Sequence, residues 1–217
     1  MSSFPLSDGQ KTACRRSVPD SSAFFLALTG HIESASFQSN SDNLYCRYTF
    51  SFGQDWEIVH GIHSGLSQIA RRRQVCATST IVWNFPLDVV FKSTNVYGWP
   101  RLAISVYGLD TFGRDVVRGY TSLLCPTSPG RYVKYVRTYI PVSPSVCQEL
   151  INWVAGTMPE FYNSKFVTQG EGRAVTRVKS GGTIKVVLNI TAKNLESFGY
   201  IVQPKEASWP ESRLCST

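Results

Sequence analysis

Between Ile81 and Tyr120 the chain alternates large apolar and polar residues in a way that few folds other than an antiparallel sheet satisfy. From Trp83, the alternate residues Phe85, Leu87, Val89 and Phe91 are all large and apolar. Asn84, Pro86, Asp88 and Lys92 lie between and after them. A period of two puts the apolar set on one face of a strand. Asn95 to Pro100 then offers turn chemistry, with Asn, Gly and Pro close together. Gly98 is the residue there expected at positive φ, which a β-branched side chain resists. Leu102, Ile104 and Val106 restart the alternation, Gly108 to Gly113 makes a second turn, and Val116 to Leu124 carries a third strand. Short connections between sequential strands predict antiparallel neighbours, and hence a β-meander with one face buried.

The flanking segments continue the pattern. Phe24, Leu26, Leu28 and Ile32 share one face of a strand region over Phe24 to Phe37, and Cys46, Tyr48, Phe50 and Phe52 do so over Leu44 to Phe52. Glu57 to Ser79 breaks the alternation and fits either a long loop or a short strand. Arg131 to Val142 reads as a strand with mixed faces. Ser145 to Gly156 switches to a helical period: Val146, Leu150, Ile151 and Val154 fall on one side, Ser145 and Gln148 are spaced as a capping box, and Gly156 is a stop. Ile184, Val186, Leu188 and Ile190 mark a last strand over Thr183 to Ala192. Residues 1–22 have no period and are expected to be a disordered extension, 23–200 a single domain, and 201–217 a flexible tail. Many short strands with one late helix suggest a two-sheet sandwich.

Aromatic residues are 12% of the 217 and charged residues only 17%, against a usual ~25%, which favours an all-β globular domain. A formal net charge of +7 permits attraction to acidic surfaces. The six cysteines, at 14, 46, 76, 125, 147 and 215, form no CxxC pair, and the N-terminus has no apolar signal core. That predicts reduced thiols in a cytoplasmic setting and no zinc site. No apolar run is long enough to span a bilayer, so membrane contact is expected to be peripheral or through partners.

No residue set supports catalysis. Gly61 to Gly65 has the wrong spacing for a nucleophile elbow, and Gly170-Glu171-Gly172 does not continue into a dinucleotide fingerprint. Calcium needs six to eight oxygen ligands, and Asp42, Asp55, Asp110 and Asp115 are too dispersed to supply a loop cage. His60 and His63 have no third ligand. The expectation is therefore no enzyme, no metal and no cofactor. The arginine run Arg71-Arg72-Arg73, with Arg47 and Lys92 as further cations, can meet acidic lipid or nucleic acid or simply be a solvated face. No nucleic-acid-binding module is recognisable, so no nucleic-acid partner is expected and lipid is the better of the two. The segment Gln169 to Gly182 carries Arg173, Arg177 and Lys179 against Glu171. It reads equally as a charged edge that discourages aggregation and as a partner-docking edge. In the turn Tyr97-Gly98-Trp99-Pro100, Tyr97 and Trp99 are candidate contact residues, although Trp99 can equally be a structural plug.

Longer words of this chain carry a resemblance. WNFPLDVVFKSTNVYGWP from Trp83 and SVYGLDTFGRDVVRGY from Ser105 resemble the signature of the B9-domain family. LYCRYTFSFGQDW (Leu44 to Trp56), SPGR (Ser128 to Arg131) and QGEGRAVTRVKSGG (Gln169 to Gly182) agree with it. The resemblance implies an all-β, C2-like antiparallel β-sandwich with one short peripheral helix. It implies a non-enzymatic scaffold subunit of the transition-zone assembly at the ciliary base, the tectonic-like, Meckel syndrome complex. Ciliogenesis and the barrier that controls ciliary membrane composition depend on that assembly. The implied partners are B9 domain-containing protein 2 and the Meckel syndrome type 1 protein, with other transition-zone proteins. The implied location is cytoplasm and cytoskeleton, at the basal body and transition zone. The competing expectation is a peripheral module that binds acidic phospholipid without calcium.

Overall fold

The computed structural model describes residues 22–37, 42–75, 78–109, 113–142, 145, 147, 151, 160–161, 167–168 and 177–201. The helix expected over Ser145 to Gly156 lies almost wholly outside them, with Cys147 and Ile151 in helical backbone. The expected extension and nearly all of the expected tail also lie outside. The strands are β1 (Phe24–Phe37), β2 (Leu44–Ser51), β3 (Trp56–Gly61), β4 (Ser64–Leu66) and β5 (Arg72–Val75). They continue with β6 (Thr78–Ser93), β7 (Arg101–Leu109), β8 (Asp115–Leu124), β9 (Gly130–Pro141) and β10 (Val178–Lys193).

All strand pairs are antiparallel, in the order β3-β6-β1-β10-β9-β8-β7-β2-β4, with β5 also on β6. The path breaks in effect between β8 and β9, which share one pair, Tyr120 with Tyr139. Two layers result, and they face each other. β6 and β2 are far apart along the strand order, yet Tyr48 and Phe85 have ring centroids 5.7 Å apart and Phe50 and Phe91 5.5 Å apart. Across the same interface Trp83 Nε1 donates to Leu44 O at 3.0 Å. This is the two-sheet antiparallel sandwich that the strand pattern predicts, C2-like as the family resemblance implies.

Alternation decides which residues fill it. Trp83, Leu87, Val89 and Phe91 of β6 are buried, Phe85 is half-buried, and Leu102, Ile104 and Val106 of β7 are fully buried. The inward sets of β1 and β10 are also buried. Each fully buried side chain of this size contributes about 1.5–3 kcal/mol, and a one-residue slip would turn the whole set to solvent, so burial fixes the register.

The meander expected over Ile81 to Tyr120 is corrected in its first half. β7 and β8 form a hairpin, but β6 pairs with β1, β3 and β5 and not with β7. Both strands bury the same kind of face against one core, from opposite layers. Asn95 to Pro100 is thus a crossover. Asn95 Oδ1 accepts from Tyr97 N at 3.0 Å, Gly98 adopts φ 72°, and Gly98 O accepts from Gly53 N at 2.8 Å. Trp56 Nε1 donates to Tyr97 O at 2.8 Å, so the crossover is tied to the β2–β3 connection. The unreadable stretch Glu57 to Ser79 resolves into the short edge strands β3, β4 and β5, followed by the start of β6.

Candidate interaction surfaces

The strand register assigns the predicted contact residues to the two ends of the sandwich. At one end Phe24 of β1 pairs with Ser93 of β6, which pairs with Trp56 of β3. The crossover sits beside this row. There Tyr97 is 81% exposed, whereas Trp99 is half-buried. The Trp99 ring meets that of Trp56 edge-on at 5.1 Å, and its Nε1 donates to Cys125 O at 2.9 Å. The indole N–H and the ring of Trp99 are therefore both engaged within the fold.

At the other end a second row runs Arg73, Thr80, Ser36, Thr183 and Arg137 across β5, β6, β1, β10 and β9. Ser36 is separated from Phe24 by roughly 35–40 Å of strand, at about 3.3 Å per residue. Arg71 is exposed and Arg72 half-buried at this end. Arg177 and Lys179 are exposed at the start of β10, where Lys179 pairs with Ile140. The tri-arginine run and the described part of the charged segment, residues 177–182, therefore share one end, and Tyr97 is remote from both. Arg173 and Asp110 lie outside the described residues. Lys92 is not beside the arginines: it is eleven residues along β6 from Ile81, the partner of Arg72.

Asp42 was not anticipated as part of this end. Its Oδ1 accepts from the backbone N–H of Arg72 at 2.7 Å. That bond, aided by the N–H of Asn43 and then by the charges of Arg71 and Arg72, holds the carboxyl below its usual range against the cost of desolvation. The anchor is present above the ordinary carboxylate pKa and is lost only as pH falls through the lowered one. A local sequence pattern cannot show it, since thirty residues separate donor and acceptor.

A polar network covers the outer face of β2, β7 and β8. Tyr45 and Tyr107 stack with centroids 5.5 Å apart, and Tyr107 donates to Glu160 Oε1 at 2.8 Å. Phe161 N donates to the Tyr120 hydroxyl at 3.2 Å. Burial, followed by the Glu160 bond, pushes the Tyr107 phenol well up, and burial pushes Tyr120 up to about 12. Both phenols stay protonated at any physiological pH; Tyr107 donates to Glu160 and Tyr120 accepts from Phe161 N, and these two bonds fasten Glu160 and Phe161 to the sheet.

Two thiols are equally inert. Burial raises Cys46 to about 11 and Cys125 to about 12, whereas Cys147 is exposed. Alkylation requires thiolate and access. At pH 8 iodoacetamide should therefore label Cys147 in the native protein and spare Cys46 and Cys125 until denaturant is added. Peptide mass mapping checks this, and early labelling of Cys125 would contradict its burial. Among the described residues no group of three His, Cys, Asp or Glu side chains could hold a metal ion, and no helix is long and apolar enough to cross a membrane.

A family model described as "Ciliary basal body-associated, B9 protein" matches residues 26–191, which span the sandwich from β1 into β10. The chain is 47% identical over 183 residues to B9 domain-containing protein 1 of Mus musculus, covering 84% of this chain and 89% of that protein. It is 45% identical over 185 residues to the Homo sapiens protein of that name, covering 85% and 90%. Identity to Homo sapiens B9 domain-containing protein 2 is 27% over 172 residues, covering 79% and 95%. Among solved structures, a C2 domain of plant Extended Synaptotagmin 1 aligns with 76% of this chain and 93% of its own, at 11% identity and a TM-score of 0.38.

Proposed function

The chain belongs to the ciliary basal body-associated B9 family, and we propose that it is a non-enzymatic scaffold subunit of the transition-zone assembly at the ciliary base. In this reading it binds B9 domain-containing protein 2 and the Meckel syndrome type 1 protein. It serves ciliogenesis and the barrier that selects ciliary membrane proteins. The observation that carries the reading is the extent of the family match, which takes in residues 26–191 and hence nearly the whole sandwich. Such a subunit works through binding energy, with exposed groups directing neighbours. The exposed cations Arg177 and Lys179 suit that role, and Arg173 belongs to the same charged segment.

A second reading, peripheral binding to acidic phospholipid without calcium, is favoured by one feature. From Ile58 to Leu87 the chain contains no acidic residue. Within that stretch Val59, Ile62, Leu66 and Ile69 are each more than half exposed, just before Arg71 and Arg72. Ile69 is two residues from Arg71, and an exposed aliphatic next to cations suits an anionic bilayer. Val59, by contrast, flanks β6 near Phe91 and Val90, far along that strand from Ile81, the partner of Arg72.

One set of measurements separates the readings. The double variant Arg173→Glu/Arg177→Glu should lower affinity for B9 domain-containing protein 2 by about tenfold or more, the scale of one or two lost charge pairs. Its melting temperature should remain nearly unchanged, and in cells it should fail to concentrate at the ciliary base. Wild-type affinity would move the interface elsewhere on the sandwich. Failure of the unsubstituted protein to bind either sister protein would overturn the scaffold reading. Retention on phosphatidylserine liposomes without a partner would then support the membrane reading.

A further inference from the structure

The β8–β9 hairpin unzips after a single pair. Beyond Tyr120 and Tyr139, β9 pairs with β10 along its length but has no ladder partner on the β8 side among the described residues. One side-chain bond closes the split, from Thr121 Oγ1 to Arg137 O at 2.9 Å. That bond also sets direction. Alternate residues of an antiparallel strand send N–H and C=O to the same side. Since Arg137 points its carbonyl toward β8, Arg131, Val133 and Tyr135 present their backbone groups to the same open side. Val133 and Tyr135 are 47% and 68% exposed, and Leu124 across the split is 49% exposed.

We propose that this open edge of β9, from Arg131 to Arg137, is a docking site for an extended acidic segment of a partner protein, which adds to the sheet as a strand. Main-chain bonds to an exposed edge supply affinity, and alternate side chains supply selectivity. Here the selectivity is for negative charge. Arg131, Lys134 and Arg137 are cations along this edge, Arg131 and Lys134 exposed, and Gly130 to Pro141 contains no Asp or Glu. The same cations disfavour a second copy of the chain, because edge-to-edge pairing would bring like charges opposite one another. The fitting segment places carboxylates across from Arg131, Lys134 and Arg137 and small apolar residues across from Val133 and Tyr135. The site is separate from the Arg177 segment, whose backbone aligns with the far end of β9 at Ile140 and Pro141.

The probe is a fluorescein-labelled heptapeptide, Glu-Thr-Val-Glu-Val-Thr-Glu, titrated with the full chain and followed by anisotropy. It should bind saturably. A peptide of the same charge with two prolines, Glu-Thr-Pro-Glu-Pro-Thr-Glu, should bind at least tenfold more weakly, because proline supplies no ladder donor at the positions across from Val133 and Tyr135. Val133→Pro removes an outward N–H at a position where an edge strand tolerates proline, and should cost at least tenfold with a normal melting temperature. Should Val133→Pro not fold, the triple variant Arg131→Glu/Lys134→Glu/Arg137→Glu changes charged side chains of the edge and leaves its backbone alone, and should cost at least as much. Equal binding of the proline peptide, or undiminished binding by a folded Val133→Pro variant, would reduce the effect to diffuse charge and overturn the proposal. So would absence of saturation, or undiminished binding by the triple variant. None of these outcomes involves a sister B9 protein, so failure here leaves the scaffold reading standing.

Discussion

Trp83→Ala should destabilise the fold by roughly 3–5 kcal/mol, the range for deleting a large aromatic from a core. The Trp83 side chain is 3% exposed, and it belongs to the core cluster that also holds Leu44 and Cys46 of the opposite layer. Its indole N–H reaches Leu44 O across the interface at 3.0 Å. That carbonyl also accepts from Ala70 N at 2.9 Å, so the acceptor is not stranded when the indole is removed. The loss is therefore mainly burial and cavity, with a smaller hydrogen-bond contribution. A single domain has about 5–15 kcal/mol in total. With a urea slope of about 2–3 kcal/mol/M, the unfolding midpoint should fall by about 1–2.5 M. Val82→Ala is the control: its side chain is 45% exposed on the same strand and should cost no more than about 0.5 kcal/mol. If the two variants have the same midpoint, Trp83 does not join the layers.

The burial of Trp83 was legible because a period of two reports which face of a strand is inward. It does not report which strand lies alongside. β6 and β7 carry the same alternation whether they pair or face each other across a core. The contacts that decide between these, such as Trp56 with the Tyr97 carbonyl, join residues forty-one apart in the chain. The edge strands β3, β4 and β5 were illegible for a related reason. They have few residues and leave Val59, Ile62 and Leu66 exposed around them, so no alternation survives. Of the candidate surface, composition could mark Arg71 to Arg73 and Arg177 to Lys179 as basic. Only the register row from Arg73 through Thr80, Ser36 and Thr183 shows that they share an end. The cations of β9 were present in the sequence as Arg131, Lys134 and Arg137, but their significance depends on an unpaired edge that the pattern does not encode.

Gly98→Val should cost roughly 2–6 kcal/mol and lower the soluble yield, from two separable causes. The first is backbone conformation: Gly98 has φ 72°, where a β-branched residue meets a penalty of about 1–3 kcal/mol. The second is contact. A Cβ at Gly98 would lie 2.5 Å from Gly53 Cα and 2.8 Å from Gly53 N. Both atoms are backbone, and Gly53 N already donates to Gly98 O at 2.8 Å, so neither strand end can give without breaking that bond. Overpacking of this kind adds about 1–3 kcal/mol. Gly113→Val separates the causes. Gly113 has φ 75°, almost the same conformation, but a Cβ there meets nothing within 4 Å. It should show the conformational cost alone and remain soluble. The difference between the two variants then measures how tightly the crossover is pressed against the β2–β3 connection, which is the contact that sends the chain from one layer to the other. Equal costs would mean that the two glycines are not in contact, and that conformation alone selects glycine at position 98.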